Sequence, residues 1–310
     1  MRWHKRGVIY VPDGRLWWAR THAMLPTPEL RGDMIRLYLC CQDERGEARI
    51  GYVDVSAEDP RHVVEVGTEP LLDIGSPGHF DQDGILVTCV VPVTDTIRYL
   101  YYVGFECGLK ARYRLLTGLA ISEDGGQRFR RVKTTPILER SSSETLFRGG
   151  PFVRYEEGRF RMWYVAGSSW TDIGGKAMPV YDLRYTESDD GIHWPDAGEV
   201  CLEIQQPEEH GFGRPWIVKE GGCYHLFYSI RRRSLGAYRM GYARSADGKH
   251  WERRDQELNL DVSPEGWDSQ AIMYAAVLLV GDRFVLFYNG NDFGRTGIGY
   301  AESSGLTVGT

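Results

Sequence analysis

One phrase recurs down this chain at a spacing of about 60 residues, and five copies account for its length. In each copy a polar run carrying an aromatic residue leads into an apolar strand. A second strand ending in aromatic-Tyr follows, then a third reading close to Gly-Tyr-Ala-x-Ser, then a turn reading Asp-Gly-x-x-Trp. The middle copies are clearest: RFRMWYVAG with LRYTESDDGIHW, and CYHLFYSIRRR with MGYARSADGKHW. The third strands align as IGYVDVS (50–56), GLAISEDGG (118–126), LRYTESDDG (183–191), MGYARSADG (240–248) and IGYAES (298–303). The second strands are densely aromatic and β-branched, which suits packing on both faces. Asp124, Asp190 and Asp247 each precede a glycine and mark hairpin turns. No stretch has a helical period. Four short strands per copy, repeated radially, predict an all-β, five-bladed β-propeller with four-stranded blades, a single domain over 1–310.

The ends of the chain fit this reading. The fifth copy stops after its third strand, at IGYAESSGLTVGT, and RWHKRGVIYV (2–11) resembles the fourth strands HWPDAGEVCL and HWERRDQELNL. The N-terminal strand is therefore expected to complete blade 5 and close the ring, which removes exposed sheet edges.

At 310 residues the length alone allows two domains. The repeat argues for one, because a propeller needs every blade to bury its core. The net charge is −6 with both signs interspersed, so no basic stripe offers itself to nucleic acid. No apolar run is long enough for a bilayer, and MRWHKRGVIYVPDG lacks the apolar stretch of a signal peptide. The six cysteines show no metal spacing, and Cys40 and Cys41 are adjacent within a strand; the pattern reads as reduced thiols in a cytoplasmic protein. GFECGLKARYRLL and GSSWTDIGGKAMPVYD read as long irregular connections between second and third strands, projecting from one rim.

In a propeller the first strand of each blade lines the axial channel, and sites sit where those strands begin. Two such places carry a second internal repeat, SPGHFDQDGI (76–85) and SPEGWDSQAI (263–272), which pairs Asp81 with Asp268 and Asp83 with Gln270. FRGGPF in blade 3 puts Arg148 at the matching level, FGRPWI in blade 4 puts Arg214 one residue later, and WARTHA in blade 1 supplies Arg20 and His22. Glu144 precedes the inner strand of blade 3, Tyr274 follows the repeat in blade 5, and Arg231 ends a second strand in blade 4. Carboxylates held together in a partly dry channel have their pKa values pushed apart, as acid and base work requires. Arginines opposite them hold an anion bidentately. Asp81, Asp83, Asp268, Glu144 and His22 are thus the catalytic candidates. Arg20, Arg148, Arg214, Arg231, Gln270 and Tyr274 are the binding candidates, with Trp170 and Tyr181 of the blade-3 rim as stacking surfaces. Each has a plainer reading: the aspartates as turn residues, the arginines as partners of acids such as Glu144 or Glu209, and His22 as a satisfied core histidine. Trp163, Tyr164, Phe227 and Tyr228 read as core.

These phrases resemble the five-bladed propeller glycoside hydrolases and their relatives, the group containing families 32, 43, 62, 68, 117 and 130. The resemblance covers essentially the whole chain. It rests on SEDGGQRF, SDDGIHW and SADGKHW, on second strands such as RFRMWYVAG, and on GHFDQDGI and GRPWIV at inner-strand starts. It is nearest to the small single-domain glycosidase-like propellers, and it speaks more to fold than to activity. The resemblance implies acidic catalytic residues on inner strands of the first few blades. Families 32 and 43 place an Asp on the first inner strand. Here RTHAMLPT carries His22 and no Asp, and neither Trp-Met-Asn-Asp-Pro-Asn-Gly nor Arg-Asp-Pro is present. The blade-1 nucleophile or base is therefore not carried over. Family 130, with an Asp acid and basic residues for phosphate, fits the Asp-plus-Arg ring better. Some family 43 relatives hold a channel metal that His22 and the aspartates could ligate, but no spacing here argues for one, and no cofactor is expected.

Three functions follow. The first is cleavage or transfer of a glycosidic or sugar-phosphate bond, with Asp81 or Asp83 as acid and Asp268 or Glu144 as partner. The carboxylates would then stand about 6.5–9.5 Å apart for inversion or about 5–5.5 Å for retention. An anionic sugar, or phosphate as co-substrate, suits the arginines. The second is non-hydrolytic tailoring of a sugar or nucleotide-sugar through His22, the side chain that switches protonation near neutral pH. The third is a non-catalytic carbohydrate-binding propeller. All three take a small carbohydrate ligand, and none involves nucleic acid or membrane.

Overall fold

The computed structural model describes residues 1–306, and its strands fall into antiparallel groups of four. The chain opens with β1 (His4–Tyr10). A first module follows in the order β2 (Thr21–Arg31), β3 (Met34–Gln42), β4 (Ala48–Ser56) and β5 (Val63–Val66). The second comprises β6 (Ile85–Pro92), β7 (Arg98–Cys107), β8 (Tyr113–Ser122) and β9 (Arg130–Arg131). The third comprises β10 (Phe147–Glu156), β11 (Arg159–Ile173), β12 (Lys176–Ser188) and β13 (Glu199–Leu202). The fourth comprises β14 (Glu209–Glu220), β15 (Cys223–Arg232), β16 (Tyr238–Ser245) and β17 (Glu252–Arg253). The last holds β18 (Met273–Val280), β19 (Arg283–Asn289) and β20 (Ile298–Ser303), with β1 paired antiparallel to β20 from His4–Glu302 to Tyr10–Ile298. Single parallel bridges, Arg148–Leu116 and Tyr181–Gly211, link the second module to the third and the third to the fourth.

The chain divides into two compact units. One contains Met1–Pro70, Trp216–Ile230 and the described chain from Ala237 onward; the other contains Leu71–Pro215 and Arg231–Gly236. In the first, a core of Trp18, Leu37, Leu39, Val53, Val55, Val285 and Phe287 is fully buried. In the second, Tyr101, Tyr102, Phe147, Trp163 and Tyr164 are sealed from solvent. Each such side chain stabilises its unit by roughly 1.5–3 kcal/mol relative to exposure.

Packing explains the recurrent phrase. Tyr102 pairs with Gly118 across β7 and β8, and a Cβ on Gly118 would stand 2.2 Å from the Tyr102 ring. Gly241 lies equally close under Tyr228. The glycine at this place of the phrase is therefore a seat for a ring, a tyrosine at Gly118 and Gly241 and a tryptophan at Gly51 and Gly299. The Asp-Gly turns form as expected. Ser245 Oγ accepts from Gly248 N at 2.8 Å, while Asp247 Oδ1 accepts from Lys249 N and His250 N at 2.8 and 2.9 Å. Ser188 and Asp190 repeat this, and so do Ser122 and Asp124.

The two supposedly irregular connections are more ordered than expected. β11 and β12 stay paired to Ile173–Lys176, and β7 and β8 to Cys107–Tyr113, so each is a strand extension closed by a short turn. The six cysteines are free thiols, with Cys40 and Cys41 both buried. Among the described residues no helix is long and apolar enough to cross a membrane.

Candidate functional site

The acids that the sequence places at inner-strand starts are buried inside their own modules. Asp81 is 0% exposed, and its Oδ2 accepts from Tyr102 OH at 3.0 Å and from Arg131 Nε at 2.8 Å. Asp268 is 1% exposed and accepts from Tyr288 OH at 2.9 Å and from Lys5 Nζ at 2.6 Å. Asp255 meets Tyr228 OH at 2.7 Å and Arg253 Nη2 at 2.6 Å. The device is the same each time. A tyrosine from the second strand donates to a carboxylate, and a cation from the fourth strand neutralises it. The two SP…D repeats place Asp81 and Asp268 in the same kind of tie. Burial, then the carboxylate beside it, pushes the Tyr102 and Tyr288 hydroxyls well above the usual phenol range.

The third module varies the device. Glu144, 0% exposed, accepts from Tyr164 OH at 2.8 Å, from Gly198 N at 3.0 Å and from Arg184 Nη1 at 3.4 Å, and its other oxygen touches Arg148 Nε. Arg148 was expected to face a ligand. Instead it is 2% exposed, donating to the Glu139 and Pro195 carbonyls at 2.8 and 2.9 Å. Its planar fork is taken up by neighbours that leave no solvent-facing edge. Asp83 is half-buried and caps a strand end, its Oδ2 accepting from Cys107 N at 2.7 Å.

The inner strands share a second device. Leu25 on β2, Gly150 on β10, Arg214 on β14 and Tyr274 on β18 have φ of 52°, 59°, 39° and 60°. The pairing register breaks at the bulges of β2, β10 and β18. A bulge re-aims a side chain, and a non-glycine residue in the left-handed region costs about 1–2 kcal/mol. Arg214, 3% exposed, is held in this conformation in the second unit. Arg231 is half-buried, and with Arg233 it helps lower the pKa of His210, after the larger effect of burial. Trp170 is 37% exposed on the β11–β12 extension, whereas Tyr181 is buried edge-on against Phe147 at 5.2 Å.

Strain gathers in the first unit. His22, Tyr274, Asp292 and Phe293 have φ of 56°, 60°, 48° and 53°. The last two belong to the turn Asn291–Gly294 that follows β19. This turn is clasped to the loop before β18. Asn291 Oδ1 accepts from Gln270 N and Ala271 N at 2.7 and 3.1 Å, its Nδ2 donates to Gly266 O at 3.0 Å, and Asn291 N donates to Trp267 O at 2.9 Å. Gly294 then lies so near β2 that a Cβ would stand 2.1 Å from the Ala23 carbonyl oxygen.

The clasp brings charged groups to His22. Burial lowers the His22 pKa most, the Asp292 carboxylate opposes this, and Arg295 adds to it. Burial thus favours the neutral form of His22, whose Nδ1 lies 2.9 Å from Thr21 Oγ1. Asp292 and Arg295 are exposed. An aromatic wall stands on the same turn and strand: Tyr238 meets Tyr274 at 5.3 Å and Phe293 at 6.2 Å between ring centroids. Tyr274 and Phe293 are half-buried, and Gln270 is exposed at the clasp. Arg20 is exposed, its Nη1 turned to the Gly14 carbonyl. Among the described residues no group of three or more His, Cys, Asp or Glu could hold a metal ion. The sequence reading missed Asp292, Phe293 and Tyr238. The legible signal was NGNDFGRTG, a glycine-punctuated polar run between the last two strands.

No family model matches this chain. It is 35% identical over 304 residues to the uncharacterized protein Rv1502 of Mycobacterium tuberculosis (strain ATCC 25618 / H37Rv), covering 97% of this chain and 99% of that protein. The chain belongs to the Rv1502 family. Solved structures give the Rv1502 family its fold. A thermostable family-43 glycoside hydrolase aligns at a TM-score of 0.68 with 16% identity, over 91% of this chain and 88% of that protein. A structure described as showing that the GH130 family of mannoside phosphorylases contains glycoside hydrolases targeting β-1,2 mannosidic linkages in Candida mannan aligns at 0.71 with 11% identity, over 99% and 94%. The Rv1502 family thus has the fold of the propeller-type glycosidases.

Proposed function

We propose that this chain is a carbohydrate-active enzyme on a five-bladed propeller, with β1 completing the last blade, and that its chemistry runs at the cluster around His22. The observation that carries this is the concentration of strained backbone at His22, Tyr274, Asp292 and Phe293, around a neutral imidazole, an exposed carboxylate and half-exposed rings. Sugar C–H faces stack on Tyr274 and Phe293, and sugar hydroxyls bond Gln270 and Asp292. His22 takes the proton of a hydroxyl or of attacking water, Asp292 stabilises the imidazolium that forms, and in cleavage the imidazolium returns that proton to the leaving oxygen. Glycosidic cleavage is the reading closest to the enzymes that share the fold. Phosphate as co-substrate has less support, with Arg148 engaged by Glu144.

One observation favours the second reading, proton transfer on a sugar without cleavage. Asp81, Asp268 and Glu144 are each taken up by a tyrosine and a cation, which leaves His22 as the base and no matched pair of carboxylates beside it. NMR product analysis on a sugar panel, with and without phosphate, separates the two: cleavage yields two products, tailoring a single isomer or eliminated sugar. His22→Asn and Asp292→Asn are each expected to lower turnover by about 10²-fold or more with the fold intact. Asp81→Asn, Asp268→Asn and Glu144→Gln are expected to lower the melting temperature and leave turnover per folded molecule largely unchanged. Full activity in His22→Asn, or sugar binding with no turnover of any panel member, would defeat the proposal.

A further inference from the structure

A cavity of about 320 Å³ opens in the second unit beside β11, β12 and the residues after β13. This is the lower end of the ~300–1,000 Å³ range of small-molecule sites. It uses no residue of the His22 cluster. Ser168, Ser169, Asp182, Arg184 and Glu203 line it, with Tyr181 as its ring.

Three features mark it as built. Arg184 occupies the phrase position that Gly51, Gly118, Gly241 and Gly299 hold in the other copies, so a charged fork stands where those copies have only a seat for a ring. That fork is shared. Arg184 Nε donates to Asp182 Oδ1 at 3.0 Å and Nη2 to Oδ2 at 3.4 Å, while Nη1 reaches Glu144 Oε1 at 3.4 Å. Finally, a bulge between Gly167 and Ser169 breaks the β11–β12 register at the cavity wall, and Ser168 Oγ there donates to the Ser143 carbonyl at 2.6 Å.

The charges select the ligand. Two lining carboxylates, Asp182 and Glu203, stand against one lining guanidinium, Arg184, while Glu144 behind them is paired with Arg148; the net negative lining disfavours an anion. A cation would compete with Arg184 for Asp182. A sugar hydroxyl both donates and accepts, so a vicinal diol satisfies carboxylate oxygens, guanidinium N–H groups and serine hydroxyls together, with no ion to desolvate. We propose that this cavity is an accessory binding site for a neutral polyhydroxylated ligand of about one sugar ring.

Saturation-transfer NMR tests this on the full chain, with the methyl glycosides of glucose, mannose and galactose as neutral probes and sodium glucuronate and glucosamine as charged ones. At least one neutral glycoside is expected to receive saturation in wild type, and saturation is expected to remain in Asp292→Ala, where the His22 cluster is impaired and the cavity is intact. In that Asp292→Ala background the signal is expected to fall at least about fivefold on adding Ser169→Trp, which fills the cavity, or Glu203→Gln, which removes a carboxylate charge while keeping its size. Melting curves establish that each variant is folded; if Ser169→Trp is not, Glu203→Gln decides alone. The proposal is overturned if no neutral glycoside receives saturation, if glucuronate is preferred, if the signal disappears in Asp292→Ala, or if it persists when a folded cavity substitution is added to Asp292→Ala. A failure of the His22 reading is read separately, as unchanged turnover in His22→Asn, while this readout is taken in the Asp292→Ala background and on other residues.

Discussion

Tyr102 and Tyr288 tie two of the candidate acids, Asp81 and Asp268, and Tyr228 ties Asp255 in the same way. A buried carboxylate is costly unless paired and hydrogen-bonded, and these tyrosines and their fourth-strand cations supply both requirements. The last module gives a sharp test, since Lys5 lies on β1 while Asp268 lies far along the chain. Lys5→Met leaves Asp268, with a side chain 2% exposed, facing no cation. A loss of roughly 2–4 kcal/mol is expected, of the order found when one partner of a buried pair is removed. Lys5→Met/Asp268→Asn should recover part of it, because the charge that needed neutralising is gone. Denaturant titration of the three proteins measures this. Equal destabilisation in the single and double variants would contradict a charge-neutralising tie.

The inner strands and the turn Asn291–Gly294 show where local rules give way. Leu25-Pro26, Gly150-Pro151 and Arg214-Pro215 recur at matching places, a legible signal of a bulge. The turn is more telling, because Asp292 is both exposed and strained. Asp292→Gly is expected to raise stability by about 0.5–1 kcal/mol, as glycine accepts this conformation freely, and to abolish turnover. Thermal melting and turnover on the same sample check both halves; lost stability with retained turnover would reverse the assignment. β1 is the other decisive element. It pairs along β20 and delivers Lys5, so deleting residues 1–11 bares an edge strand and a buried carboxylate together. The truncated chain is expected to aggregate or unfold, and a monodisperse product with unchanged melting would count against the role given to β1.

Stability of the whole molecule should depend on pH in a defined window. Burial lowers His225 from 6.5 to about 4, and burial also leads in lowering His22 and His210. In the unfolded chain these histidines titrate near 6.5. Their folded pKa values are depressed, so the unfolded state binds more protons, and stability present above about 6.5 is lost as pH falls toward 4. Asp124 extends the decline: the Ser122 hydroxyl and backbone N–H groups hold its carboxyl below the usual range, and that contribution goes below about 4. Melting temperatures from pH 8 to 3 should be flat and then fall, with a shallower fall in His225→Phe. A wild-type profile flat to pH 4 would contradict it. The sequence alone determined the strands, their grouping, the Asp-Gly turns and the pairing of the N-terminal segment, because each follows from short-range periodicity and turn chemistry. It also placed Asp81, Asp268 and Glu144 at matching positions. Which way those side chains face depends on residues remote in sequence: Arg131, Lys5 and Arg184 reach them through sheet pairing. His22, Asp292 and Tyr274 likewise became a cluster through the clasp at Asn291, and Arg184 took a glycine's place beside a cavity. No local pattern carries such contacts, so the tertiary structure alone decided which polar residues are ties and which meet solvent.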